Sequence, residues 1–213
     1  MAERSHREPA DAPWRPGPIP HIVFDQVCLD FANSEITNHL RTGPKYDRLG
    51  TAEWRRWFVK RWGFRAPAQL PIASLTRLIE LRSLIRSLLA EHAILSPGQV
   101  RRLNRVLAGS RYIWRLEMGG SVGPKSKPTL ELRPVDAGWH TVMADVVASY
   151  AELAAGGNLE RVKPCGNSNC ALLFYDASVN RTRRWCDASL CGNLVKVREF
   201  RARHRQIRRT RSS

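Results

Sequence analysis

Four of the chain's five cysteines fall in one window, as the pairs Cys165/Cys170 and Cys186/Cys191. Each pair has four residues between its thiols, and fifteen residues separate the two pairs. A short turn between paired cysteines brings two thiolates to one ion, and zinc takes four such soft ligands in a tetrahedron. The first turn (Gly166, Asn167, Ser168, Asn169) is made of residue types that tolerate a tight backbone. Four thiolates close the shell and leave no position for an attacking water, so the Zn2+ expected here is structural. The same spacing also serves a thiol redox switch, and scattered core cysteines are the plainest reading. Cys28 lies alone in a helical pattern and reads as a small buried apolar residue.

The second chemistry is cationic. The chain carries 35 Lys and Arg against 19 Asp and Glu, a net charge of +16. From Arg161 onward there are thirteen basic and three acidic residues, so +10 of that charge sits in the last quarter. Arg181, Arg183 and Arg184 lie between the cysteine pairs, and Lys196, Arg198, Arg201, Arg203 and Arg205 follow them. A run so poor in acids suffers self-repulsion that phosphates relieve, and counterion release then supplies affinity. On a helix Arg198, Arg201, Arg205 and Arg208 share one side, while Lys196 and Arg203 share another. A solvated, solubilising face is the plain alternative, and cations of this kind serve DNA and RNA alike.

The elements that must position these groups divide at about residue 157. Pro9, Pro13, Pro16, Pro18 and Pro20 mark residues 1–20 as a disordered tail. From 21 to 157 the apolar residues follow mostly helical spacing. An extended His21–Phe24 precedes a helix over Val27–Ile36. Thr51 caps a second helix, with Trp54, Trp57, Phe58 and Trp62 on one face and Gly63 stopping it. A third spans about Ile72 to His92, and Ser96, Pro97 and Gln99 open a fourth with a capping box. The period then changes. Tyr112, Trp114, Leu116 and Met118 alternate with polar residues as in a strand, and Thr129–Pro134 is its partner. Trp139–Ala155 returns to helix. In the last unit, 158–213, Ala171–Asp176 and Arg183–Trp185 read as a hairpin that returns the chain to the first cysteine pair, and Asn193 opens a basic helix. The expected fold is mainly α with a small β-hairpin, a helical domain followed by a treble-clef-like finger.

Composition excludes some functions. No apolar run approaches the ~20 residues of a membrane span, and no signal-peptide order is present, so the expected location is cytoplasmic and nucleoid-associated. There is no Gly-rich phosphate loop, Gly-x-Ser-x-Gly elbow or His-Glu-x-x-His helix. His21, His39, His92 and His140 are dispersed, and the chain is not expected to be an enzyme. Asn33, Trp57 and Arg82 are candidates for a pocket that orients a small-molecule effector, beside the plainer reading of satisfied core residues.

One stretch is more specific. Phe174, Asp176, Ser178, Asn180, Arg181, Arg183, Arg184, Trp185 and Cys186, then Cys191-Gly192-Asn193 and Lys196, resemble the CGNR zinc-finger family. Leu29-Asp30-Phe31-Ala32-Asn33, the Trp54–Trp62 helix and Leu81-Arg82 resemble the helical ABATE domain that usually precedes this finger. The resemblance implies a bacterial stress-related transcriptional regulator with the finger as its DNA-binding part. The helical part would then sense a ligand or form a homodimer. A zinc-stabilised protein–protein adaptor and an RNA-binding protein are the competing readings. Two positions depart from the pattern: the Arg that closes the signature is Leu194, and the Arg that often follows the hairpin Ser is Val179.

Overall fold

Helices begin where the sequence supplies hydroxyl caps. In the computed structural model, which describes residues 22, 24–38, 45–92, 94–118 and 128–211 (side chains to 207), Thr51 Oγ1 accepts the Trp54 N–H at 3.3 Å and opens α2 (Ala52–Arg61). Ser96 and Gln99 close a reciprocal capping box at the start of α4 (Pro97–Leu107), with Ser96 N donating to Gln99 Oε1 at 2.8 Å. The remaining helices are α1 (Val27–Ala32), α3 (Ile72–Glu91), α5 (Trp139–Ala155) and α6 (Asn193–Arg211). Three antiparallel strand pairs join them: β1 (Glu35–Ile36) with β2 (Tyr46–Asp47), β3 (Tyr112–Met118) with β4 (Pro128–Pro134), and β5 (Val162–Pro164) with β6 (Leu173–Tyr175). The mainly α class with a β-hairpin is what the periodicity predicts. The proline-rich 1–20, His21, His39 and the loop 119–127 lie outside the described residues.

Two expected elements differ. The first helix ends at Ala32 rather than Ile36, because Asn33 leaves the helix to bond elsewhere and Glu35–Ile36 pairs with Tyr46–Asp47. In the finger, Arg183–Trp185 is not a strand. The Asp176 carboxylate takes the Arg183 N–H at 3.0 Å, which a ladder with Ala171–Asp176 would have needed, and β6 pairs instead with β5 upstream.

One hydrophobic core runs through both parts of the chain. Phe31, Trp54, Phe58, Leu78, Ile85, Val146 and Tyr150 are fully buried, and Val162, Leu173, Phe174 and three of the four paired cysteines (Cys165, Cys186 and Cys191) belong to the same cluster. Buried polar bonds fix the register of the two parts. Asn33 donates to the Leu173 carbonyl (2.8 Å) and accepts the Leu173 N–H (2.9 Å), so a side chain on the end of α1 completes the main-chain bonding of β6. Arg86 on α3 donates to the Ala32 and Ala171 carbonyls. At the end of α3 His92 turns left-handed, φ 48°, and its Nε2 donates to the Val162 carbonyl at 2.6 Å. Thr37 donates to the Asn169 carbonyl at 2.7 Å.

Asn33→Ala would leave both Leu173 main-chain groups buried and unpaired, at a cost of about 3 kcal/mol. Thermal unfolding should show Tm lower by roughly 6–12 °C, with faster exchange at the Leu173 amide. An unchanged Tm would mean that the clamp is not what joins the two parts.

Candidate metal centre and basic surface

β5 and β6 deliver the first cysteine pair. The Cys165 N–H continues their ladder onto the Leu172 carbonyl (2.9 Å), and the Cys170 N–H closes the turn on the Asn167 carbonyl (2.7 Å). The second pair is set by a single π-helical turn, Ala188–Gly192, which contains Cys191 and follows Cys186; it is capped by Asp187, whose carboxylate accepts the Leu190 N–H at 2.8 Å. A π turn carries i→i+5 bonds, here from Gly192 N–H to the Asp187 carbonyl, and this wider winding suits cysteines five residues apart. The result is a cluster in which all four sulfurs lie within 4.8 Å of one another, with Cys186–Cys191 at 3.7 Å and Cys170–Cys186 at 3.8 Å. Four sulfurs each about 2.3 Å from one ion stand about 3.8 Å apart, so the donor set and its spacing fit a tetrahedral thiolate-bound metal.

The protonation pattern points the same way. Hydrogen bonds from Cys170 and Cys186 pull the Cys165 thiol far below its ordinary value. The bond to Cys165 in turn pushes Cys170 and Cys186 upward, and burial raises Cys191. Without a cation the cluster therefore favours a single thiolate. A dication reverses that balance by stabilising the remaining three.

Trp185 seals the centre. A Cβ on Gly166 would meet the Arg184 carbonyl at 2.9 Å, whereas one on Gly192 would rest against the Trp185 ring at 3.4 Å, an ordinary contact. Gly166, directly after a cysteine, is thus required by close approach rather than by its dihedrals. The Trp185 indole N–H is buried without a partner. Asn167 links the knuckle to α6. Its amide donates toward the Cys191 sulfur (3.5 Å), and its oxygen accepts from Arg198 Nη1 (2.8 Å).

Asp176 organises the loop between the pairs, a role that its residue type alone did not disclose. Fully buried, it accepts from Lys163 Nζ (2.8 Å), from the Ser178 hydroxyl and N–H, and from the Arg183 N–H. Burial opposes its ionisation, but Lys163 and the Ser178 donors outweigh it and hold the carboxyl well below its ordinary 3.8.

The basic candidates do not form one set. Arg183, exposed, folds back on the finger, its guanidinium over the Phe174 ring at 4.9 Å and bonded to the Trp185 and Cys186 carbonyls. Arg181 pairs with Glu160 at 2.9 Å, and Arg198 is held by Asn167. Arg184 lies over Trp185 and is exposed, as are Lys196, Arg201, Arg203 and Arg205 along α6. The side chain of Arg208 lies outside the described residues.

The polar atoms of the proposed effector pocket are spent inside the fold. Asn33 is committed to Leu173, and Arg82 makes a two-pronged pair with Asp47, its Nη2 bond at 2.9 Å, with Glu35 nearby at 3.6 Å. Trp57 packs against Trp54 and Phe58. A cleft of ≈ 1020 Å³ lies elsewhere, between β3–β4 and α5, with Trp62, Phe64, Arg65, Arg115, Asp145 and Glu152 among its lining. No single motif marks it, because its walls come from five separate segments.

Residues 25–157 match the ABATE family model, described as "Putative stress-induced transcription regulator", and residues 161–204 match the CGNR zinc-finger model. A search of curated proteins finds no match. No described helix is long and apolar enough to cross a membrane.

Metal uptake by the reduced, metal-free chain should release roughly three protons per ion near neutral pH, from the three thiols held protonated. Calorimetry in buffers of different ionisation enthalpy reads this number, and a value near zero would contradict the shell. Cys186→Ser should abolish tight metal retention and raise hydrogen exchange from 162 to 192.

Because the folded Asp176 carboxyl is depressed, its stabilisation is present above pH 3.8 and drains away as the pH falls below that toward the folded value. Asp176→Ala should therefore deprotect amides 177–183 at neutral pH and flatten their acid dependence. Wild-type exchange rates in the variant would remove Asp176 from this role.

Proposed function

The chain belongs to the ABATE family and carries the CGNR zinc finger, and on that footing we propose that it is a non-catalytic, DNA-binding transcriptional regulator whose finger is closed by one Zn2+ on Cys165, Cys170, Cys186 and Cys191. The observation that carries this reading is the attachment of α6. Its first turn continues directly from the second cysteine pair, and Arg198 ties its next turn to the first knuckle through Asn167. The nineteen residues of α6 span roughly 28 Å and project Lys196, Arg201, Arg203 and Arg205 into solvent from a rigid base.

A helix of this kind fits the major groove of B-form DNA, about 12 Å wide, whereas the deep, narrow groove of A-form RNA does not admit it. Arg184, exposed beside the metal centre, extends the same cationic surface. Arg183 braces the finger through the Cys186 carbonyl while its side chain stays at the surface beside Arg184. Zinc is the metal of choice for four thiolates in a closed tetrahedron, and such a shell leaves it structural. The ≈ 1020 Å³ cleft gives the helical part room for a small effector.

The zinc-loaded chain should bind duplex DNA with log affinity falling against log salt at about −0.9 per phosphate neutralised. Arg201→Glu with Arg205→Glu should weaken binding by about tenfold or more at low salt while zinc content holds. Zinc-loaded protein without salt-dependent retention on DNA would leave the protein–protein adaptor in its place.

A further inference from the structure

The β3–β4 hairpin is built inside out. Its register sets Trp114 opposite Leu132, Leu116 opposite Leu130 and Met118 opposite Pro128, so one face is wholly apolar. The alternate positions pair Ile113 with Arg133, Arg115 with Glu131 and Glu117 with Thr129. It is mainly this second, charged face that turns toward the body: Ile113, Arg115, Glu117 and Arg133 line the cleft against α5, joined from the other face by Leu132 and Pro134, where Tyr112 also bonds Asp145. Beyond that end the apolar face is left to solvent, with Trp114 66%, Leu116 67%, Met118 58% and Leu130 61% exposed, and Leu132 is still 50% exposed. An isolated two-stranded ribbon is marginal in water, and a monomer rarely leaves an apolar patch of this size uncovered.

We propose that a second copy of this chain covers that face, the two hairpins packing face to face about a two-fold axis. Charge selects the occupant. The chain as a whole is +16, so two copies repel almost anywhere else. Among the described residues 111–136 the balance is even: Arg111, Arg115 and Arg133 against Glu117, Glu131 and Asp136. Arg133 pairs with Glu131 and Glu117, and Arg111 with Asp136. The paired strands are thus a nearly neutral platform on a cationic molecule, although Lys125 and Lys127 follow in the segment that joins them, and an acidic partner would be drawn to the finger instead. Area agrees. Five large side chains at these exposures offer on the order of 600 Å² per copy, or about 1,200 Å² in a symmetric pair, the lower bound of a specific interface. A self-complementary apolar ribbon meets the requirement of a two-fold contact, in which the same patch serves both partners. The pairing stands whether or not α6 binds DNA.

Sedimentation equilibrium of the full, metal-loaded chain in high salt should give twice the mass of one chain at tens of micromolar. Leu116→Asp with Leu130→Asp should weaken association at least tenfold with an unchanged helical circular dichroism signal. Glu117→Gln, on the opposite face, should leave it intact. Because the double variant can melt the ribbon, hydrogen exchange of the unaltered chain provides a second reading: amides of 112–118 and 128–134 should gain protection as protein concentration rises. A monomer at every concentration, a dimer indifferent to the double variant, or a dimer lost instead through Phe200→Ser on α6 would overturn the proposal.

Discussion

Four thiols held within 4.8 Å of one another cannot all ionise unless a cation sits among them. That electrostatic demand organises the last quarter of the chain. The knuckle after β5, the π-helical turn before α6, Gly166 against the Arg184 carbonyl and Arg183 on the Cys186 carbonyl all serve to bring the thiols to one point. α6 then inherits its direction from the cluster. A basic helix on a loose tether would have the same charge but no fixed orientation.

The centre is not a free-standing module. Arg82, Arg86 and His92 lie along or at the end of α3, and the last two reach main-chain carbonyls of the finger while Arg82 pins β2. Asn33 adds the clamp on β6. These are buried bonds to charged or polar side chains, so losing one partner strands the other. The shared core of Phe31, Leu78, Leu173 and Phe174 makes the metal state and the helical part mechanically continuous. The walls of the cleft beside α5 thus belong to the same body that holds the finger.

The sequence made the helices legible because apolar spacing and caps are local signals, as Thr51 and the Ser96–Gln99 box demonstrate. The cysteine cluster was legible for a similar reason, since each pair is closed by a short turn. The limits were non-local. Asn33 reads as a pocket residue until its partner, 140 positions away, is known. The charge of Arg183 is visible in the chain, while its stacking on Phe174 is not. The strand expected over Arg183–Trp185 failed because Asp176 competes for the donor that a ladder requires. The alternation of β3 and β4 was visible, but alternation alone does not tell which face turns inward.

X-ray absorption at the metal edge of the purified, reduced chain tests the central claim most directly. A zinc signal with four sulfur neighbours at about 2.3 Å and no lighter scatterer in the shell is the predicted result. Nitrogen or oxygen in the first shell would contradict the closed four-thiolate centre on which the orientation of α6 depends, as would a metal-free protein with disulfides between these cysteines.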